Sequence, residues 1–190
     1  MAVLGIRKYV NDFQPGKQGY EYTGEWVRLP ADEREVRRWI RKCMAELVLM
    51  SLLFFLGLSR NNAGSYVFWI LLPYICLFLP VAFGWMAVFV LLQVIKKQKY
   101  QSQGYGGEIL LRRMDYDRGI RRLWRCGLGL SVLSGIAAGA NTILVFSRRN
   151  TLVMENEICF LSASIGIFVI SLLFLKQNME MKKKVRNFKE

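Results

Sequence analysis

Glu46 is the only ionisable side chain clearly inside the long apolar stretches of this chain. A carboxylate in a lipid-spanning segment is costly unless it is paired or lines a polar path, so its first reading is proton or cation coupling. Its position supplies a second reading. It lies one turn past Cys43, with Arg41 and Lys42 just before it, where it can reach the aqueous boundary or pair with a neighbouring cation.

Little else in the chain could do chemistry. There is no histidine in 190 residues, which removes imidazole acid–base catalysis and His-bearing triads, zinc sites and haem sites. Cys43, Cys76, Cys126 and Cys159 are scattered one to each apolar segment without a CxxC pair, and read as small buried hydrophobes. Asp115 and Asp117 could share a divalent cation, yet the arginines that follow suit a helix start better. Gly106 and Gly107 lack the Lys-Ser/Thr context of a phosphate loop. No catalytic residue, metal site or cofactor is expected, and a membrane-embedded enzyme is the least supported class.

The elements that must carry these residues follow from hydropathy. Asn61 to Ile95 is a run of 35 residues without a charge, between Arg60 and Lys96. A bilayer core about 30 Å thick takes about 20 helical residues, so the chain reads as an all-α integral membrane protein. The run is too long for one straight crossing and too short for two. Pro73 and Pro80, nearly two turns apart, are expected to kink it.

Four spans are expected, at about 43–58, 65–95, 126–147 and 158–175, with a loop at 96–125 and a basic tail at 176–190. Charge decides the number. Residues 1–42, 96–125 and 176–190 hold 9, 9 and 6 Lys plus Arg, leaving only Arg60, Arg148 and Arg149 for the other side. By the positive-inside rule both termini are then cytoplasmic, whereas a fifth span would move the last basic block across. The net charge of +13 is therefore expected to set orientation and attract anionic lipid headgroups; no aromatic-basic platform points to nucleic acid. A cell membrane location follows, and the compact chain without sorting signals suggests a bacterial cytoplasmic membrane. Residues 1–42 are too polar for a secretory signal, so the first apolar segment is expected to direct insertion.

Odd-numbered spans share an entrance. Asp32 reads as an N-cap with Glu35 three residues on, followed by Val36, Trp39, Ile40 and Cys43 at helical spacing among arginines. Shifted by 84 residues, Glu33-Arg34 falls on Asp117-Arg118 and Val36 on Ile120; duplication and convergence both explain this. Ahead of it, Tyr20, Tyr22 and Trp26 suit either a short hairpin or a membrane-interface anchor.

The clearest signal is in the third span. Gly127, Ser131, Gly135 and Gly139 recur every four residues, with Ser134, Ala138 and Thr142 on the adjoining row, and Ser162 and Gly166 offer a similar pair in the fourth span. Small residues on one face let helix backbones approach where lipid supplies no hydrophobic drive. Antiparallel pairing of spans three and four is the first expectation, and self-association the second. The functional reading is a small multi-pass protein acting by helix packing, as an accessory, assembly or stabilising subunit or a homodimer. The alternative is a small transporter or channel subunit using Glu46 and the kinked second span.

Overall fold

The computed structural model describes residues 12–16, 19–59, 66–98, 109–147 and 154–187. Arg60 to Gly64, Gly104, Gly106, Gly107, Arg148 and Arg149 lie outside the described residues. The chain is mostly helical. Helix α1 spans Glu33–Leu58. Asp32 takes the N-cap position with extended backbone but makes no side-chain cap bond; its carbonyl accepts the Val36 N–H at 3.0 Å, and Glu33 accepts from Arg37 Nε at 2.6 Å.

The charge-free run forms two helices, α2 (Phe68–Cys76) and α3 (Phe78–Gln98), interrupted at Leu77. Pro80 has no N–H to give the carbonyl of Cys76, so the helix tightens there: Leu77 N–H bonds Tyr74 O at 3.2 Å. The chain does not reverse at the break. Along α1, Gly57 meets Tyr74 and Leu47 meets Gly84, so α2 and α3 descend in the same direction as one bent rod. Helix α4 (Arg113–Arg118) turns at Gly119 into α5 (Ile120–Ser147), and α6 (Met154–Lys184) completes the set. The segment expected as a loop at 96–125 therefore contains α4 and the first turns of α5. The fourth helix runs well past 175.

The helical rods form a ring in which each neighbour pair is antiparallel. Helix α1 packs on α6 and α3, and α5 packs on α6 and on α2 with α3; α5–α6 is the most extensive seam and α1–α3 the least. Three segments are long and apolar enough to cross a membrane: Phe68–Lys96, Arg113–Ser147 and Glu155–Lys184. The polarity of the ring is inverted relative to a water-soluble bundle. Leu52, Phe55, Phe78, Phe83, Ile143 and Val169 are exposed, while the buried polar side chains among the described residues all belong to α5 and α6.

The protein is not purely α-helical. A hairpin of β1 (Phe13–Gly16) and β2 (Gly19–Tyr22) precedes β3 (Trp26–Leu29), which pairs antiparallel with both β4 (Ile109–Arg112) and β5 (Arg186–Asn187). The period-2 pattern of β3 explains the pairing: Val27 and Leu29 are buried while Arg28 between them is exposed. Of the two readings of the aromatic arm, the hairpin is what forms. Tyr22 makes edge contacts with Phe13 and Trp26, at 5.3 and 5.5 Å between centroids. Burial, and after it the Asp12 carboxylate, raises the Tyr22 phenol above its ordinary value.

This sheet sits at the end of the ring where α1 begins and α6 ends. There α3 runs on beyond its neighbours' apolar stretches: Leu91 and Ile95 are buried in the same core as Val36, Trp39, Ile40, Ile120 and Leu123. The 84-residue correspondence is carried by these positions, since Val36 and Ile120 are both buried; yet Glu33 opens α1 whereas Asp117 and Arg118 close α4.

Gly119 is where the sheet end is tightest. A Cβ there would strike the Leu91 side chain and lie 3.0 Å from Asp115 O. Gly119→Val is expected to destabilise the protein by about 1–3 kcal/mol, measured as a lower midpoint in an SDS titration from mild detergent.

Candidate functional site

The small-residue stripe of α5 faces α6 at one end only. At Gly127 a Cβ would lie 3.1 Å from the Leu175 Cα, so the two backbones touch there, and Ser131 is buried with its hydroxyl donating to Gly127 O at 2.9 Å. At Gly135 the neighbour is the ring of Phe168, 3.1 Å from an added Cβ. Gly139 is exposed and has nothing within 4 Å. The cause is helical phase. Each residue advances about 100°, so a step of four overshoots one turn by about 40°, and by Gly139 the row has turned about 120° away from Gly127.

A step of seven falls short of two turns by only about 20°, and the true seam follows it. Gly127, Ser134 and Asn141 are the α5 residues on that row, and all but the glycine bring polar groups into the interior. Helix α6 answers with Glu157, Ser164, Ser171 and Asn178, again seven apart and each no more than 2 % exposed, alternating with buried Phe160, Ile167, Phe174 and Met181. The Ser134 and Ser171 hydroxyls meet at 3.1 Å across the interface. Most of the other hydroxyls bond carbonyls of their own helix, as Ser164 does to Phe160 O at 2.8 Å. Ser162 is exposed, and Gly166 faces Leu53 of α1 instead of α5.

Asn141 is fully buried, and neither its Nδ2 nor its Oδ1 has a hydrogen-bond partner. Seven residues beyond Ser134, it lies on the α6 side of α5. Of the partner residues, Asn178 lies past the expected end of the fourth span at 175, and Ser164 and Ser171 are hidden among other serines in an apolar run.

Glu46 belongs to a different seam. Its carboxylate accepts a hydrogen bond from the Gln177 amide of α6. Beside it, Cys43 Sγ lies 3.6 Å from Asn178 Oδ1 and 3.7 Å from Gln177 Nε2, and Asn178 Nδ2 donates to Phe174 O at 2.6 Å. The cluster ties the start of α1 to the end of α6, an attachment repeated about two to three turns further out by Lys184 with Glu35. It does not meet the proline break. The cavity beside Leu77 is lined mostly by apolar residues of α1 and α3 with Leu130 and Ile167, and Glu46 is not among them. Pro73 is enclosed in α2 and Pro80 falls in the first turn of α3, where a missing N–H costs least.

A buried amide without partners costs more than a hydrocarbon of the same shape. Asn141→Leu is therefore expected to raise the SDS midpoint of the purified protein. A lower midpoint would mean that Asn141 has a partner in the membrane. Among the described residues no group of three or more Cys, Asp or Glu is placed to hold a metal ion.

Compared with known proteins, the chain matches no family, no curated protein and no solved structure.

Proposed function

We propose that this protein is a four-span bundle of the cell membrane, with the sheet end cytoplasmic, that acts by packing against a partner in the bilayer as an accessory or stabilising subunit or as a homodimer. Two observations support four crossings. Strands β3, β4 and β5 come from before α1, from between α3 and α4, and from after α6, and one sheet holds all three. Segments on one side of a membrane are separated by an even number of crossings. Helix α1 falls short of the three more apolar segments because Arg41, Lys42 and Glu46 stand in its first half, yet from Lys42 to Ser59 it rises about 26 Å, close to the bilayer core. Its outer face there is Val48, Leu49, Leu52, Phe55 and Leu56.

Among the described residues, Arg28, Arg34, Arg112, Arg113 and Lys184 lie in or beside the sheet end, which supports a cytoplasmic placement of that end by the positive-inside rule. The excess length of the second span is accommodated on the same side: its last turns, with Leu91 and Ile95, are buried under the start of α5 instead of lying in lipid. With the four native cysteines replaced, Arg28→Cys and Arg112→Cys are expected to resist a membrane-impermeant maleimide added to intact cells, while Tyr66→Cys, 78 % exposed at the opposite end, reacts.

The observation that carries the packing reading is Gly139. It is a notch without a neighbour on an otherwise bulky outward face formed by Val132, Ile136, Ile143 and Phe146. Close approach of another helix uses such a gap. The geometry also separates two variants: Gly135→Leu would collide with Phe168 inside the chain, whereas Gly139→Leu meets open space. Gly139→Leu is expected to abolish a larger species seen on size-exclusion after mild detergent extraction, with the SDS midpoint unchanged and Glu46→Gln without effect. If the elution profile is the same with and without the leucine, this face is not the contact. The transport alternative gains nothing from the proline break, whose cavity Glu46 does not line.

A further inference from the structure

We propose that the cavity between α1 and α3 seats one acyl chain of an anionic phospholipid, whose headgroup is held by Arg41 and Lys96. The inference rests on the bundle crossing the membrane with its sheet end in the headgroup layer. The cavity is about 230 Å³, below the 300–1,000 Å³ or so of pockets for drug-sized molecules, which suits a thin chain. Its lining is Met50, Phe54, Phe55, Phe78, Val81 and other apolar side chains, with Ser51 and the Trp85 indole as the polar exceptions. The Ser51 hydroxyl is engaged, donating to Leu47 O at 2.8 Å. A hydrocarbon fits this lining and a polar ligand does not.

The position of the cavity explains its existence. It lies on the least extensive seam of the ring, at the Leu77 break between α2 and α3, and Phe55 and Phe78 on its rim are exposed on the outer surface. A partner helix is about 10–12 Å wide and packs on small residues, whereas this rim is aromatic.

Charge sets which lipid. On α3, Trp85, Phe89, Leu92 and Lys96 follow at intervals of four, three and four, and so share one face; Trp85 and Phe89 are in ring contact at 6.1 Å. On α1 the row Phe55, Ser51, Val48, Met44, Arg41 does the same. Arg41 and Lys96 are both exposed. Lys96 is about 17 Å along the axis from Trp85, and Arg41 about 21 Å from Phe55. Half a bilayer core is about 15 Å, so a chain whose phosphate sits between those two cations reaches the cavity with its far end. Close van der Waals contact with the cavity wall seats the tail and fixes the headgroup beside the cations; the cations add about fivefold each for an anionic headgroup.

The test uses the full chain, delipidated in mild detergent and titrated with phosphatidylglycerol or phosphatidylcholine of matched chains, with bound lipid counted by native mass spectrometry. Phosphatidylglycerol is expected to be retained in preference. Arg41→Gln with Lys96→Gln is expected to lower its retention about 25-fold, to the phosphatidylcholine level. Ala82→Trp, which fills the cavity, should remove the bound lipid while the cations remain, and Ser51→Phe serves as a second filling variant if the first does not fold. Equal retention of the two lipids by the unmodified protein overturns the proposal, as does undiminished binding in both filling variants. A second copy of the chain, displaced by Ala82→Trp, would also overturn it. The maleimide pattern reads the membrane crossing separately, so failure of this site leaves that reading standing.

Discussion

Everything in this bundle depends on the fact that apolar side chains gain nothing by moving from lipid into a protein interior. Attraction between helices must then come from close contact and from polar groups that lipid cannot satisfy. The α5–α6 seam supplies both. Gly127 lets the backbones meet, and the buried polar side chains of the described structure are all collected on these two helices, where Ser134 and Ser171 join them. The other seams are arranged around that pair: α1 is fastened to α6 by Glu46 and Gln177 at the sheet end and by Gly57 near Ala163 and Gly166 near Leu53 at the other. The bent rod is tied to α1 by the Tyr74 hydroxyl, which donates to Phe54 O at 3.0 Å, and the cavity lies beside that link between α1 and α3.

Much of the architecture was legible because it follows from composition that any lipid-facing helix must have. The end of α5 at Ser147, the antiparallel pairing with α6 and the interruption near Pro80 were all accessible from apolar runs, small residues and a missing N–H. The direction of the packing face was harder. A four-residue repeat of glycine and serine is conspicuous to the eye, but it winds around the helix, so Gly127 and Gly139 could not serve one straight partner. The heptad row Glu157, Ser164, Ser171 and Asn178 was equally present and is nearly parallel to the axis. What hid it is that serine is common in membrane helices and usually bonds its own backbone.

Two further features could not be read locally. The length of the charge-free run made sense only once Leu91 was placed under Gly119, a contact set by α4 and the turn that follows it. A window of sequence sees an overlong span; the fold shows one helix with two surroundings, its first part presenting the exposed apolar side chains Phe78, Leu79, Phe83 and Met86 and its last turns roofed by protein. The three-stranded sheet is the other case. Strands of four, four and two residues carry almost no signal alone, and β5 is too short to be recognised without β3 beside it.

That sheet has a consequence for how the chain is made. Strand β3 emerges first, β4 becomes available after the second helical rod, and β5 comes last, behind α6. The central strand must therefore wait with an unpaired edge until the final helix has been threaded. In the proposed four-span topology a rod that failed to cross would leave β4 or β5 on the far side of the bilayer from β3, and the buried face of Val27 and Leu29 without its partner strand. In that topology closure of the three short strands registers the number of crossings between them and not their direction.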